Sequence, residues 1–187
     1  MTDNGNAVQR EVAILGGGCF WCTEAVFKDV EGVLSVVPGY TGGKVDAPSY
    51  KAVCDGGTGH AEVVRMEFDP ALIGYRDLLE IFFVIHDPTT LNRQGNDIGT
   101  QYRSAIFTTT DEQLHEALAL IEKMGEERLF PSAIVTKVER AGTFWPAEDY
   151  HHDYYVKNSD QPYCQYVVAP KVAKFRENFA KRRRRAP

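Results

Sequence analysis

The 187-residue chain has no apolar run approaching the roughly 18 residues that a membrane helix needs, which argues against a membrane protein. Met1 to Arg10 is polar and carries no apolar signal region, so the expected compartment is the cytosol. Cysteine is scarce: Cys19, Cys22, Cys54 and Cys164 are all there is. Structural disulfides are disfavoured in the cytosol, which leaves catalytic, metal-binding or simply buried thiols. A zinc finger would need a second ligand pair at suitable spacing; His151 and His152 are adjacent and far from the Cys19–Cys22 pair. No metal is expected. Repeats and long linkers are absent too. Residues 1–187 therefore read as a single catalytic domain, with 1–10 and 181–187 as flexible tails.

Charge of one sign is not lacking, but it is unevenly spread. Lys181 to Arg185 contributes five positive charges, so with a net −5 overall the remainder carries −10. An acidic body is a poor platform for releasing counterions from nucleic acid, so no nucleic-acid partner is expected. The basic run sits where chains usually fray, and a solvated tail is the expectation; a tail touching an acidic partner is the alternative. Without a coiled-coil or other assembly signal, a monomer is the default.

What is present is a dense succession of short elements. Glu11 to Leu15 reads as a buried strand, Gly16-Gly17-Gly18 breaks it, and Phe20 to Asp29 has helical character. Val33 to Tyr40 and Glu62 to Phe68 read as strands, and Gly74 to His86 as a buried helix. Tyr102 to Phe107 is a further strand. Thr110 and Gln113 have capping-box spacing ahead of Leu114, Ala117, Leu118 and Ile121 at helical intervals. Ile134 to Glu139 is the last clear strand, and the chain after Gly142 reads as mostly irregular. The first six elements follow the split β-α-β order of an α+β, ferredoxin-like two-layer sandwich: a mixed sheet with packed helices and an irregular C-terminal segment. A doubly wound sheet is the runner-up.

Chemistry concentrates at Gly16-Gly17-Gly18-Cys19-Phe20-Trp21-Cys22. A glycine turn after a strand delivers Cys19 to a helix start, where unpaired N–H groups and the helix dipole favour an anion. A cysteine there should have a lowered pKa and act as a nucleophile. Phe20 and Trp21 can form an apolar wall beside it. Cys19 and Cys22 also make a C-x-x-C, so a thioredoxin-like disulfide oxidoreductase is a rival, and Cys22 as a plain core residue is a third reading. On the strand after Gly59-His60-Ala61, Glu62 shares a face with Val64, Met66 and Phe68. If it points inward, burial should raise its pKa and keep it a proton donor; bent out at the strand end, it would be an ordinary surface carboxylate. The glycine-bearing loop Arg93 to Arg103 is either a binding loop or an ordinary turn.

Taken in order, GCFW (18–21), GYTGG (39–43), PSY (48–50), GHAEVVR (59–65), HDPT (86–89), RQGNDIGTQYRSAIF (93–107) and AEDYHHDYY (147–155) resemble the A-type peptide methionine sulfoxide reductases over roughly Val12 to Cys164. The resemblance implies reduction of methionine S-sulfoxide, in proteins, peptides or free, with no bound cofactor. It assigns Cys19 as nucleophile and Glu62 as acid. Tyr50 and Tyr102 become hydrogen-bond donors to the sulfoxide oxygen, and Phe20 and Trp21 the pocket for the substrate methyl. Asp97 becomes a loop acid that positions substrate and cysteine. It further implies a sulfenic acid on Cys19, a disulfide with a resolving thiol, and reopening by a thioredoxin-type donor. Cys164, in Tyr163-Cys164-Gln165, takes the place of the resolving cysteine. Cys22 is a departure, standing where many members carry glycine, and leaves a second candidate. Cys54 receives no role, and His151 and His152 are read as packing or surface residues.

Overall fold

In the computed structural model, residues 9–185 are described. The tail expectations for 1–8 and for 186–187 lie outside the described residues.

The chain begins with β1 (Glu11–Gly17), whose residues from Ala13 onward are buried on both faces. It runs between two other strands under helices, which is why its sequence is a continuous apolar run without alternation. Then come α1 (Phe20–Phe27), β2 (Val33–Thr41), α2 (Tyr50–Cys54), β3 (Ala61–Phe68) and α3 (Tyr75–Ile85). A small hairpin, β4 (Arg93–Gln94) with β5 (Asp97–Ile98), leads through a 3₁₀ turn at Thr100–Tyr102 into β6 (Ser104–Thr108). After α4 (Asp111–Glu126) the chain adds β7 (Lys137–Arg140), β8 (Trp145–Pro146), α5 (Tyr154–Lys157) and α6 (Ala169–Asn178).

The main sheet has the order β7-β6-β1-β3-β2-β8. Its four central strands pair antiparallel, and only the β6–β7 ladder is parallel. Strands β1, β2, β3 and β6 with helices α1 and α3 form the expected ferredoxin-like unit, and β7 and β8 extend it at either edge. One face carries the main core, including Phe20, Phe27, Met66, Phe68, Phe82 and Phe175. The other face is thinner: Ile14, Ala61, Val63, Ala105 and Phe107 under Val12, Ala141 and Phe144.

Two expectations change. The C-terminal segment is irregular only at first; from Cys164 a π-helical turn (Cys164–Val168) runs straight into α6. Val168, Val172 and Phe175 are buried, so this helix packs on α1 and α3 as a cover. Short polar gaps hide that spacing in the sequence. The basic run is also not free of the body within the described residues. Arg182 pairs with Asp77 at 2.7 Å and Arg183 with Asp29 at 3.4 Å. Arg176 reaches Asp29 too, at 2.7 Å, and the Arg184 backbone N–H donates to the Asp29 carbonyl. The acidic partner of these arginines is the chain's own surface. In α4, Leu118 is exposed, and Leu120 and Met124 are buried instead.

The connection from β1 to α1 is the one turn that the site cannot do without. Gly18 has φ +94°, and a Cβ there would stand 2.6 Å from the Gln94 side chain. Only glycine meets both conditions without strain. Gly18→Ala should therefore destabilise the fold by about 1–3 kcal/mol. This would be read as a lower urea midpoint at unchanged m-value. An unshifted midpoint would show that the turn is not so constrained.

Candidate active site

Cys19 is the N-cap of α1 and is nearly buried, with 7% of its surface exposed. Helix α1 lies over β3, so the first backbone N–H of the helix meets the strand's first inward carboxylate. Phe20 N–H donates to Glu62 Oε2 at 3.1 Å. Glu62 itself is 1% exposed, on the face shared by Val64, Met66 and Phe68. The inward reading of Glu62 is thus the structural one. Its other oxygen, Oε1, is buried with no hydrogen-bond partner. Burial outweighs the help of the Phe20 N–H, and the Glu62 pKa rises to about 8. At neutral pH the group is mainly a carboxylic acid.

The expectation for Cys19 is corrected. Its thiol is pushed well above its ordinary pKa, first by burial, with Cys22 and the Glu62 carboxylate acting in the same direction. Position at a helix start was the basis for expecting more thiolate; desolvation is the larger effect here. Cys22, one turn on and within hydrogen-bonding reach of Cys19, shifts the other way. The Cys19 thiol and the Lys171 ammonium both favour its thiolate.

Three phenols surround this centre. Tyr50, at the start of α2, and Tyr102, in the 3₁₀ turn before β6, are half-buried. Burial and then the Glu62 carboxylate hold both phenols protonated, far above any working pH. Sequence reading missed the third, Tyr163. Its hydroxyl donates to Asp97 Oδ2 at 2.6 Å and lies within hydrogen-bonding reach of Cys19. Asp97 therefore faces the cysteine through this phenol. The β4–β5 hairpin that carries Asp97 is pinned by Gln94, which accepts from the Asp87 N–H and donates to the Asp87 carbonyl.

Phe20 is fully buried, its ring 6.3 Å from that of Tyr50, as the floor of the site. Trp21 stacks on Tyr154 at 3.6 Å with ring planes 4° apart, and its indole N–H donates to His151 Nδ1 at 3.0 Å. His151 is buried and packs on Tyr50 at 4.4 Å. It is a packing residue, as expected, but one that also fixes the orientation of Trp21. Burial lowers its pKa and keeps it neutral. Glu148 was also overlooked. It accepts from the Tyr40 hydroxyl at 2.9 Å and from the Tyr50 N–H at 3.0 Å, and so anchors α2. An AEDYHH stretch between breakers gives no periodic signal for these partners.

Among the described residues no group of three or more histidine, cysteine or acidic side chains is placed to hold a metal ion. The family described as peptide methionine sulfoxide reductase matches residues 11–183. This chain belongs to that family. It is 59% identical over 176 residues to the peptide methionine sulfoxide reductase MsrA of Ralstonia nicotianae, covering 92% of each chain. It is 59% identical over 169 residues to that of Sulfolobus acidocaldarius, covering 90% of this chain and 95% of the relative. Among solved structures, the reduced form of Mxr1 from Saccharomyces cerevisiae superposes with a TM-score of 0.78 at 37% identity, over 85% of this chain and 91% of that one. The protein is accordingly a peptide-methionine (S)-S-oxide reductase, a thiol-dependent oxidoreductase. No helix among the described residues is long and apolar enough to cross a membrane.

In this reductase seven of the eight residues expected at the site fall around one centre; Cys164 stands apart. That residue is fully buried at the start of the π-helical turn, and the thiol charge it feels is that of Cys22.

The state of Glu62 can be tested through stability. Its folded pKa is raised above the unfolded value, so the folded chain holds a proton that the unfolded chain releases. Relative to Glu62→Gln, wild type should lose stability as pH rises from about 4.5 to about 8, at up to roughly 1.4 kcal/mol per pH unit. The difference should then level off. A constant difference across urea melts at pH 5.5 and pH 8 would mean that the carboxyl is not held protonated.

Proposed function

We propose that Cys19 attacks the sulfur of methionine S-sulfoxide while Glu62 protonates its oxygen. The observation that carries this reading is the juxtaposition of a thiol at a helix N-terminus with a buried carboxylic acid. The first helical N–H holds one carboxyl oxygen, and the other is unpartnered. A sulfoxide oxygen is a poor leaving group, so it must gain a proton as the sulfur is attacked. Tyr50 and Tyr102 are donors aimed at the same oxygen, fixed in their protonated form by the environment. Phe20 and Trp21 take the methyl group. An aromatic wall on one side and donors on the other accept only one arrangement around the chiral sulfur, which selects the S epimer.

The products are methionine and Cys19 sulfenic acid: the substrate S–O bond breaks, its oxygen ends on Cys19 Sγ, and the proton that Cys19 gives up replaces the one Glu62 donated. Asp97, through Tyr163, positions Cys19. The sulfenic acid then condenses with a thiol, water leaves, and Cys164 in the C-terminal cover presents the resulting disulfide to a reductant. A thioredoxin-type dithiol is the donor class. Mxr1, similar to this chain, has been crystallised in complex with Trx2. A reducing cytosol is the setting in which such a donor works, and repair of oxidised methionine is the role.

The test uses separated S and R epimers of N-blocked methionine sulfoxide with dithiothreitol as donor. Wild type should consume the S epimer alone, Cys19→Ser should consume neither, and Glu62→Gln should lose about 10²- to 10⁴-fold in rate. Wild-type activity should fall as pH rises through about 8, where Glu62 gives up its proton. Consumption of both epimers, or full activity of Glu62→Gln, would reject the mechanism.

A further inference from the structure

Gln94 lies behind the turn that carries the proposed nucleophile and has no part in the mechanism above. It is 8% exposed, and both ends of its amide are used. Oε1 accepts from the Asp87 N–H at 3.0 Å, and Nε2 donates to the Asp87 carbonyl at 2.9 Å. Asp87 is a fixed anchor, because it follows directly on His86 at the end of α3. The His86 ring is buried. Its Nε2 bonds to the Ser104 hydroxyl at 2.8 Å, and Ser104 is the ladder partner of Gly17. The same ring lies under Gly17, where a Cβ would stand 3.2 Å from its Cγ. One residue on, the Gln94 side chain lies under Gly18, where a Cβ would stand 2.6 Å from its Cγ and 2.8 Å from its Cβ. The turn that presents Cys19 thus rests on two side chains, one from the end of α3 and one from the β4–β5 hairpin.

The other strand of that hairpin borders the site. Gln94 and Asp97 are ladder partners, and directly opposed residues of an antiparallel pair send their side chains to the same face. Asp97 accepts from the Tyr163 hydroxyl at 2.6 Å, and the Tyr163 ring meets that of Trp21 edge-on at 5.7 Å. The hairpin therefore reaches both ends of the segment from Gly18 to Trp21. Gln94 supports its start, and Asp97, through Tyr163, borders its end. Space-filling alone would not call for an amide here. The Asp87 backbone offers one donor and one acceptor, and the Gln94 amide answers both. A carboxylate would face the Asp87 carbonyl without a proton, and an aliphatic chain would leave both backbone groups without this partner.

Resting on the roles given above to Cys19 and Asp97, we propose that Gln94 is a positioning residue for the reaction. It sets the Gly18–Cys19 turn and the Asp97–Tyr163 pair in one frame, so that the thiol and the Trp21 wall of the methyl pocket keep a fixed spacing. It acts through these groups and touches no reacting atom. Its loss should slow the chemical step more than it weakens substrate binding, since a displacement of about 1 Å caused far from the chemistry can cost about 100-fold in rate.

The experiment compares full-length, fully reduced wild type, Gln94→Leu, Asp97→Asn and the double variant. Each is given methionine S-sulfoxide over a range of concentrations, and methionine is quantified through a single turnover. Folded Gln94→Leu should form methionine about 10- to 100-fold more slowly at saturation, with little change in the half-saturating concentration. In the Asp97→Asn background the same replacement should cost less than about threefold, because the two residues act through one hairpin. A wild-type rate in folded Gln94→Leu, a loss confined to half-saturation, or losses that multiply fully in the double variant would overturn the proposal. Each of these would leave the reductase mechanism standing. Gln94→Leu leaves buried backbone groups unpaired and can disturb folding, so Gln94→Glu is run in parallel. It keeps the length and the acceptor and loses the donor. It should show the same pattern with a smaller loss, and a wild-type rate in it would also overturn the proposal. Absence of methionine from folded wild type would remove the assignment of Cys19, and the positioning role with it.

Discussion

The hydrogen bond from the Phe20 N–H to the Glu62 carboxyl joins the two halves of the chemistry. It ties the first turn of α1 to the inward face of β3, and so holds the helix of the proposed nucleophile and the strand of the proposed acid in one register. Neither partner is costless. Glu62 occupies a position where three further residues of its strand face are apolar, and a charged carboxylate there would be desolvated. The cost is met by keeping the group protonated, and protonation is the property the proposed mechanism needs. Stability and catalysis thus make the same demand on this side chain.

The remainder of the site is arranged around that constraint. Gly18 turns the chain sharply enough for Cys19 to cap the helix instead of extending the strand. Glu148 anchors Tyr50 by its backbone, His151 fixes the Trp21 indole, and Asp97 holds Tyr163 over the thiol. Each of these supports comes from a loop or a short helix far away in sequence. The C-terminal cover closes the site through Val168, Val172 and Phe175 below and is fastened at its far end by Arg176, Arg182 and Arg183 on Asp29 and Asp77.

Much of this was legible in the sequence where local physics dominates. Alternation along β3 put Glu62 on the apolar face as one of two open readings, the glycine turn placed Cys19 at a helix start, and the order of elements pointed to the ferredoxin-like unit. The parts that were not legible depend on long-range packing. The raised pKa of Cys19 opposes its helix position because burial, which no local pattern encodes, outweighs the dipole. Tyr163 and Glu148 look like ordinary residues of an irregular segment until partners some 66 and 98 positions away are in place. The arginine run looked like a solvated tail because its acidic partners, Asp29 and Asp77, are distant in the chain. The helix after Cys164 was hidden by the π-helical turn, whose spacing departs from the 3.6-residue period that sequence patterns detect.

The central claim is that a neutral carboxylic acid stands beside the thiol at working pH. The most direct measurement is pH-difference infrared spectroscopy of wild type against Glu62→Gln. A protonated-carboxyl C=O band that belongs to Glu62 should be present at pH 7 and should disappear with a midpoint near pH 8. Loss of that band below pH 5 would show an ordinary ionised glutamate and would contradict the account.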